Sequence, residues 1–406
     1  MTVTTADNRY SNFVFFLLLS FPVLINSVKV FGNLILLIFF FLGSYIFITE
    51  KRNPFIIPEL KILSWVTVSY FIVMMASMVI ADGLSAQFHH LGRKLHFLLA
   101  PFIALSIYDS NLSIEHLLRS LKFGLILISI IVLVQFFFLG HERPSGMFNA
   151  NVFSDIVVAM FFLSIVRFFE ETRTEKFLSI IAVLIGIIPI VLSASRGSWL
   201  SFLILFLVYF VITSSRFTKD NRKRIFGLIL LITVLVLGFS QLKIVKKGIN
   251  TAFENTQSWQ VGDTNVNSTS LRLEMWRSGF LAAADSPLFG YGYRNANEAV
   301  LNYARQNHKE IGEYTHLHNE YLTNLVSAGL IGLISLFFLL FAPLIVFVKK
   351  LRNDRYYHYA LMGILLCVAY ITFGFTHIAF GEEHTNAFYI FFLCLLLPRM
   401  KQSNLI

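Results

Sequence analysis

Twelve apolar runs, most of them long enough to cross a lipid bilayer, divide this chain of 406 residues. A membrane-crossing helix needs about 20 mainly apolar residues, fewer where its neighbours shelter it. The runs fall at about 12–26, 30–48, 62–81, 95–108, 123–140, 152–169, 177–194, 199–213, 225–242, 319–347, 358–378 and 386–398. The first does not read as a cleaved leader. Arg9 is the one basic residue before it, no small-residue cleavage site is clear, and another apolar run follows at once. Apolar residues make up 56% of the chain and charged residues 14%, against roughly 25% charged in soluble domains. That excludes a soluble enzyme, a disordered chain and a nucleic-acid reader. The expected fold is an all-α polytopic membrane protein of about 12 transmembrane helices. Cys367 and Cys394 both lie inside apolar runs, so neither a disulfide frame nor a zinc site is indicated.

Lysines and arginines in the loops set the orientation. With the N-terminus in the cytoplasm, 20 of the 33 basic residues face the cytoplasm. The short loops of the other side then hold only Lys29, Arg93, Lys94, Arg143 and Arg196. An even number of spans with both termini cytoplasmic follows. The net charge of +10 belongs to the cytoplasmic face as an orientation signal, and no nucleic-acid partner is needed to explain it.

The spans are unevenly spaced. Residues 1–242 read as a nine-helix region, 243–317 as one long extracytoplasmic loop, and 318–406 as a C-terminal three-helix region, all within one integrated membrane domain. A loop of that length is usually functional or disordered. This one carries Trp259 and Trp276, turn signals at Asp285-Ser286-Pro287, and an amphipathic helical pattern over 270–284 with Arg272 and Arg277 on it. It reads as an ordered cap. No internal repeat is visible, unlike the usual duplicated transporter.

Ionisable groups near a membrane are costly, so their positions inform. The turn Ser193-Ala194-Ser195-Arg196-Gly197-Ser198-Trp199 sets Arg196 between two spans. Its guanidinium is either a clamp for phosphate oxygens or an interfacial side chain beside Trp199, and Gly197 leaves room for a close neighbour. Arg272 alone reads as a helix-surface residue paired with a carboxylate. His316 and His318 lie where the loop re-enters the membrane. A histidine at a helix start can act as a base near neutral pH. It can equally be a capping or interfacial side chain, and a metal is disfavoured, because two histidines at i and i+2 diverge and no third ligand has obvious spacing. Gly329 and Gly332 lie three apart on one helix face, where backbones can approach. Gly92-Arg93-Lys94 and the segment Arg143 to Asn151 could each meet an anionic head group or serve as turns with interfacial anchors. No phosphate-cradling glycine loop is present, so no nucleotide is implied. No Asp-x-Asp pair occurs in an outer loop, so metal-dependent transfer from a nucleotide sugar is not supported.

Taken together, these segments are more specific than any one alone. His318-Asn319, nine residues, then Gly329-x-x-Gly332-Leu333 resembles the signature of the bacterial O-antigen ligase family, and it follows a long outer loop as in that family. Ser195-Arg196-Gly197-Ser198-Trp199 resembles the family's Ser-Arg-Gly-Ala/Ser-Trp segment. Asp285-Ser286-Pro287-Leu288-Phe289-Gly290-Tyr291-Gly292 is similar to its Asn-Pro-Leu-Phe-Gly-x-Gly stretch, with Asp285 in the place of Asn. Arg143 to Asn149 resembles an outer Arg-x-x-Gly-x-x-Asn segment. In Gly374-Phe375-Thr376-His377 the histidine stands where the family has another polar residue.

The resemblance implies a GT-C-like, lipid-linked glycosyltransferase. Its donor would be a polysaccharide on undecaprenyl diphosphate and its acceptor a hydroxyl of the lipid A-core. The transfer would be inverting and metal-independent, with no cofactor, at the periplasmic face of the bacterial inner membrane. Arg196 and Arg272 would stabilise the leaving diphosphate, and His318 would take the acceptor proton. Asn319, Arg93, Lys94, Arg143 and Asn149 would contact substrate. The same superfamily contains O-antigen polymerases, which join two carrier-linked glycans. A glycolipid transporter or flippase is the alternative of another class. It predicts charges near mid-membrane and paired broken helices, whereas the polar residues here gather on one side.

Overall fold

The computed structural model describes residues 5–82, 88–110, 112–214, 216, 246, 250, 268–306 and 316–400. The expected span at 225–242 lies outside them, as do most of 243–267, with Trp259, and 307–315. Each of the other eleven apolar runs forms a helix. In chain order these are α1 (Thr5–Leu24), α2 (Phe31–Thr49), α3 (Pro58–Asp82), α4 (Phe88–Ile107), α5 (Ile114–Phe137), α6 (Ala150–Ser164), α7 (Arg173–Leu192) and α8 (Arg196–Ser214). Two helices of the long loop follow, α9 (Ser268–Asp285) and α10 (Gly292–Gln306), then α11 (Glu320–Lys350), α12 (Tyr357–Phe373) and α13 (Glu383–Leu396). The described residues contain no strand. α2, α3, α5, α7, α8 and α11 are each long and apolar enough to cross a membrane, while α6 and α12 are shorter apolar helices. The protein is a polytopic helical membrane protein.

The short helices are the inner ones. α6 is buried from Val152 to Ser164 and α13 from Thr385 to Leu396. α12 packs on α6, α8 and α11. A helix wrapped by protein need not match the full hydrocarbon thickness on its own. α2, α8 and α11 instead expose large apolar side chains such as Phe41, Leu203, Leu207 and Ile334, as a lipid-facing surface requires.

Polar side chains start several of these helices. Ser113, Asn149, Thr172 and Asn319 each accept a backbone N–H of the first turn, satisfying donors that have no partner within the helix.

α11 is interrupted. Gly329 has φ 64° and ψ −161° inside it, so the helical ladder opens there. The turn Pro287–Gly290, between α9 and α10, fills the opening. Leu330 N–H donates to Pro287 O at 2.7 Å and Tyr291 N–H donates to Val326 O at 2.9 Å. A Cβ on Gly329 would lie 2.2 Å from the Leu288 carbonyl, and one on Gly290 would lie 2.5 Å from Val326 O. The close approach expected at the glycine pair therefore occurs at Gly329, and the partner is a loop backbone. At Gly332 a Cβ would meet Ala328 of the same helix at 2.3 Å.

Candidate active site

α8 begins at Arg196, straight after the turn Ser193–Ser195. Ala194 takes a left-handed φ of 52°, and Trp199 Nε1 donates to Ile190 O at 2.9 Å, tying α8 back to α7. A cation in a first helical turn opposes the helix dipole. An anion bound there would be attracted by both the exposed N–H groups and the guanidinium.

Arg196 lines a cavity of about 150 Å³ together with Arg143, Arg272, Asn151, Asp155, Thr376 and His377. Arg143 Nε donates to Ser193 O at 3.0 Å, fixing it over the same turn. Arg272 comes from the first turns of α9. Burial lowers its pKa, and so do the charges of Arg196 and Arg143. Burial and Arg196 lower that of Arg143 likewise. Guanidinium groups stay protonated regardless, so the clustered positive charges would favour a bound polyanion. The surface ion pair considered for Arg272 belongs instead to Arg277, which meets Glu274 at 3.9 Å.

The histidines gather beside this cavity. Ring centroids of His316 and His318 are 4.3 Å apart, those of His316 and His377 5.8 Å, and those of His318 and His377 6.4 Å. His318 itself does not line the cavity, but His377 does. Trp276 Nε1 donates to Leu317 O at 2.8 Å, so α9 holds the segment that carries His316 and His318. Burial pushes the His318 imidazole down to about 3, helped by His316 and Arg272. Burial, then His316, His318 and Arg272, put His377 at about 3, and burial, Arg272 and Arg93 put His316 at about 4. All three are neutral near pH 7, with a ring nitrogen able to accept a proton. Among the described residues no group of three His, Cys, Asp or Glu side chains is placed to hold a metal.

The structure thus brings Arg143, Arg196 and Arg272 around one cavity and sets His318 next to it. The remaining residues singled out from sequence do not line the cavity. Asn149 caps α6 with Oδ1 on Asn151 N–H at 2.9 Å, and Asn319 caps α11 with Oδ1 on Leu322 N–H at 3.0 Å. Arg93 donates to Gly381 O at 3.3 Å. Lys94 is 1% exposed, with its ammonium on Phe380 O at 2.7 Å and on the Tyr70 hydroxyl at 3.1 Å. Asn151 and Thr376 were visible in the sequence only as members of the Arg143–Asn151 and Gly374–His377 segments, and Asp155 was missed. Asp155 Oδ1 accepts the Ser198 hydroxyl at 2.6 Å, and Ser198 Oγ in turn reaches Ser195 Oγ at 2.9 Å. The available signal was a lone carboxylate early in an apolar run.

Fold and site together define a multi-pass helical membrane protein with an arginine–histidine site at one end of the bundle. Residues 181–337 match the family model described as O-antigen ligase. The resemblance read from the motifs is thereby shown, and it supports a function of the O-antigen ligase or polymerase type, on lipid-linked polysaccharide in general terms. The matched stretch contains the Arg196 turn, Arg272, His318 and the Gly329 break, and leaves Arg143 and His377 outside. An uncharacterized protein of Haemophilus influenzae is 26% identical over 378 residues, covering 88% of this chain and 90% of that protein.

Proposed function

We propose that this protein is an O-antigen ligase. It transfers a polysaccharide from undecaprenyl diphosphate to a sugar hydroxyl of the lipid A-core, at the periplasmic face of the inner membrane, through an inverting, metal-independent reaction. The twelve-span topology with both ends cytoplasmic, and the division at 242 and 317, belong to the same reading. The observation that carries it is the convergence of Arg143, Arg196 and Arg272 on one cavity at the start of α8, with His377 on its wall and His318 beyond it.

The acceptor oxygen attacks the anomeric carbon from the face opposite the diphosphate. The bond from that carbon to the phosphate oxygen breaks, and the diphosphate leaves with the electron pair. Guanidinium groups hold its growing charge, which is worth most in a site shielded from water. The acceptor proton passes to His318.

The test is a strain lacking the gene, complemented with wild type or with His318→Ala at matched expression, and its lipopolysaccharide run on a gel. Ligation predicts a ladder on the core with wild type, and bare core plus carrier-linked glycan with the variant. Core capped by a single repeat in the null strain would make the protein a polymerase. Unchanged lipopolysaccharide would remove both assignments and return a glycolipid transporter to first place.

A further inference from the structure

The turn between α12 and α13 is gripped on both sides of one residue. Phe380 N–H donates to Glu320 Oε2 at 2.9 Å, and Phe380 C=O accepts from Lys94 Nζ at 2.7 Å. Glu320 Oε1 accepts from Asn324 Nδ2 at 2.7 Å, and Glu320 N–H donates to Gly374 O at 2.8 Å, at the other end of the same turn. The Tyr70 hydroxyl closes the ring, accepting from Lys94 at 3.1 Å and donating to Asn324 Oδ1 at 3.3 Å. The Lys94 ammonium also lies 5.5 Å from the centre of the Tyr293 ring, on α10. Glu320 is 2% exposed and Lys94 1%.

A buried, charge-linked network of this kind is no more stabilising than well-packed apolar side chains. What it supplies is one geometry. The gripped turn carries His377 into the arginine cavity, and it presses Thr376 on Gly197. A Cβ there would stand 2.2 Å from Thr376 Oγ1, one residue from Arg196. Glu320, in turn, lies two residues after His318. The network therefore joins the histidine segment, the His377 turn and the Arg196 turn.

We propose that Glu320 and Lys94 are positioning residues which, by clamping the Phe380 peptide, set the spacing between His318 and the arginine cavity. This deepens the ligase reading and rests on it for its consequence in catalysis.

The test compares K94M/E320Q, which neutralises the clamp, with K122M/E171Q. The second pair neutralises another buried pair, Lys122–Glu171 at 2.5 Å with side chains 1% and 6% exposed, remote from the site. Each purified protein in proteoliposomes is assayed for glycan transfer from the carrier-linked donor to core. Each is also treated with diethyl pyrocarbonate, and carbethoxylation of His318 and His377 is followed by mass spectrometry, which needs no substrate. K94M/E320Q is expected to lose about a hundredfold in kcat, as for a catalytic group displaced by about 1 Å, with the donor KM within about threefold. Its labelling rates at His318 and His377 should shift by about threefold or more as the segment loosens. K122M/E171Q should match wild type in both. E320D, which keeps the charge with a shorter reach, should fall between, and it is read the same way should the double variant not melt cooperatively. Wild-type labelling rates in a folded clamp variant overturn the proposal whatever the activity. Shifted labelling in a protein that transfers no glycan even as wild type refutes the ligase reading and leaves the clamp standing.

Discussion

His318 sits at φ 50°, in the left-handed region that a side chain rarely occupies. Its neighbours hold it there, with Leu317 buried on one side and Asn319 capping α11 on the other. Such a conformation costs on the order of 1–3 kcal/mol and persists where the surroundings fix it. The sign of its pH dependence follows from its surroundings. Burial, His316 and Arg272 hold the free imidazole at about 3, so it stays an unprotonated base well below neutral pH. Its contribution to kcat/KM should stay flat from about pH 7 to about pH 5, where an ordinary histidine titrates. A bound diphosphate cancels part of the arginine repulsion and raises that pKa, so the acid limb of kcat should lie at higher pH than that of kcat/KM. Matched pH–rate profiles check this, and an acid limb of kcat/KM near pH 6.5 would exclude His318 as the depressed base. In the proposed reaction the planar fork of Arg196 would count as much as its charge. Arg196→Lys should therefore lose about a hundredfold in kcat, the size of one lost transition-state donor. A wild-type rate in the Arg196→Lys variant would place the leaving group elsewhere. The arginine turn was legible because a lone cation in an apolar sequence is conspicuous. Asp155 and Glu320 were not, because a buried carboxylate takes its meaning from partners on other helices, Ser198 on α8 for one and Phe380 beyond α12 for the other.

At the scale of elements, the informative feature is the seam between the broken α11 and the Pro287–Gly290 turn. Both halves were visible as separate glycine motifs. That they meet was not, since 38 residues separate Gly290 from Gly329 and only the fold brings them together. The seam fixes the loop cap to α11 some ten residues below His318, so it orients α9, and Arg272 with it. Gly329→Ala adds a methyl at a positive φ and against backbone at 2.2 Å. Strain and overpacking together should cost roughly 2–4 kcal/mol, seen as a lowered melting temperature in detergent. Gly290→Ala meets the same seam from the other side, so the double variant should cost less than the sum of the two. Additive losses would mean that the two glycines act at independent contacts. The apolar runs gave the helices well, but the helix starts lie up to several residues before them, at α5 and α7 for instance. The reason is physical: a capping residue and a polar first turn belong to the helix but not to its apolar core.

Charge is distributed differently at the two ends of the whole molecule. Several ion pairs gather at the end away from the site, among them Arg119–Glu175 and Lys122–Glu171 at 2.5 Å and Arg216–Asp354 at 2.7 Å. Those basic residues mark the expected cytoplasmic face, and the carboxylates beside them partly neutralise it. At the other end Arg143 donates to the Ser193 carbonyl at 3.0 Å, and its charge adds to those of Arg196 and Arg272 around the cavity, a field that favours an anionic substrate. Sequence alone showed the excess of lysine and arginine on one side, but not which of them had carboxylate partners, because pairs such as Arg216–Asp354 join distant loops. The sidedness can be measured directly. The native thiols Cys367 and Cys394 are both buried, so an added surface cysteine should be the reactive one in the otherwise native protein. Met147 is 63% exposed beside Arg143, and the Asp354 side chain is 90% exposed at the opposite end. In intact spheroplasts an impermeant maleimide should label Met147→Cys and spare Asp354→Cys, while permeabilised cells should label both. The reverse pattern would turn the molecule over and put the arginine cavity on the cytoplasmic side. Transfer to a core sugar at the periplasmic face would then be impossible, however well the cavity fits a diphosphate.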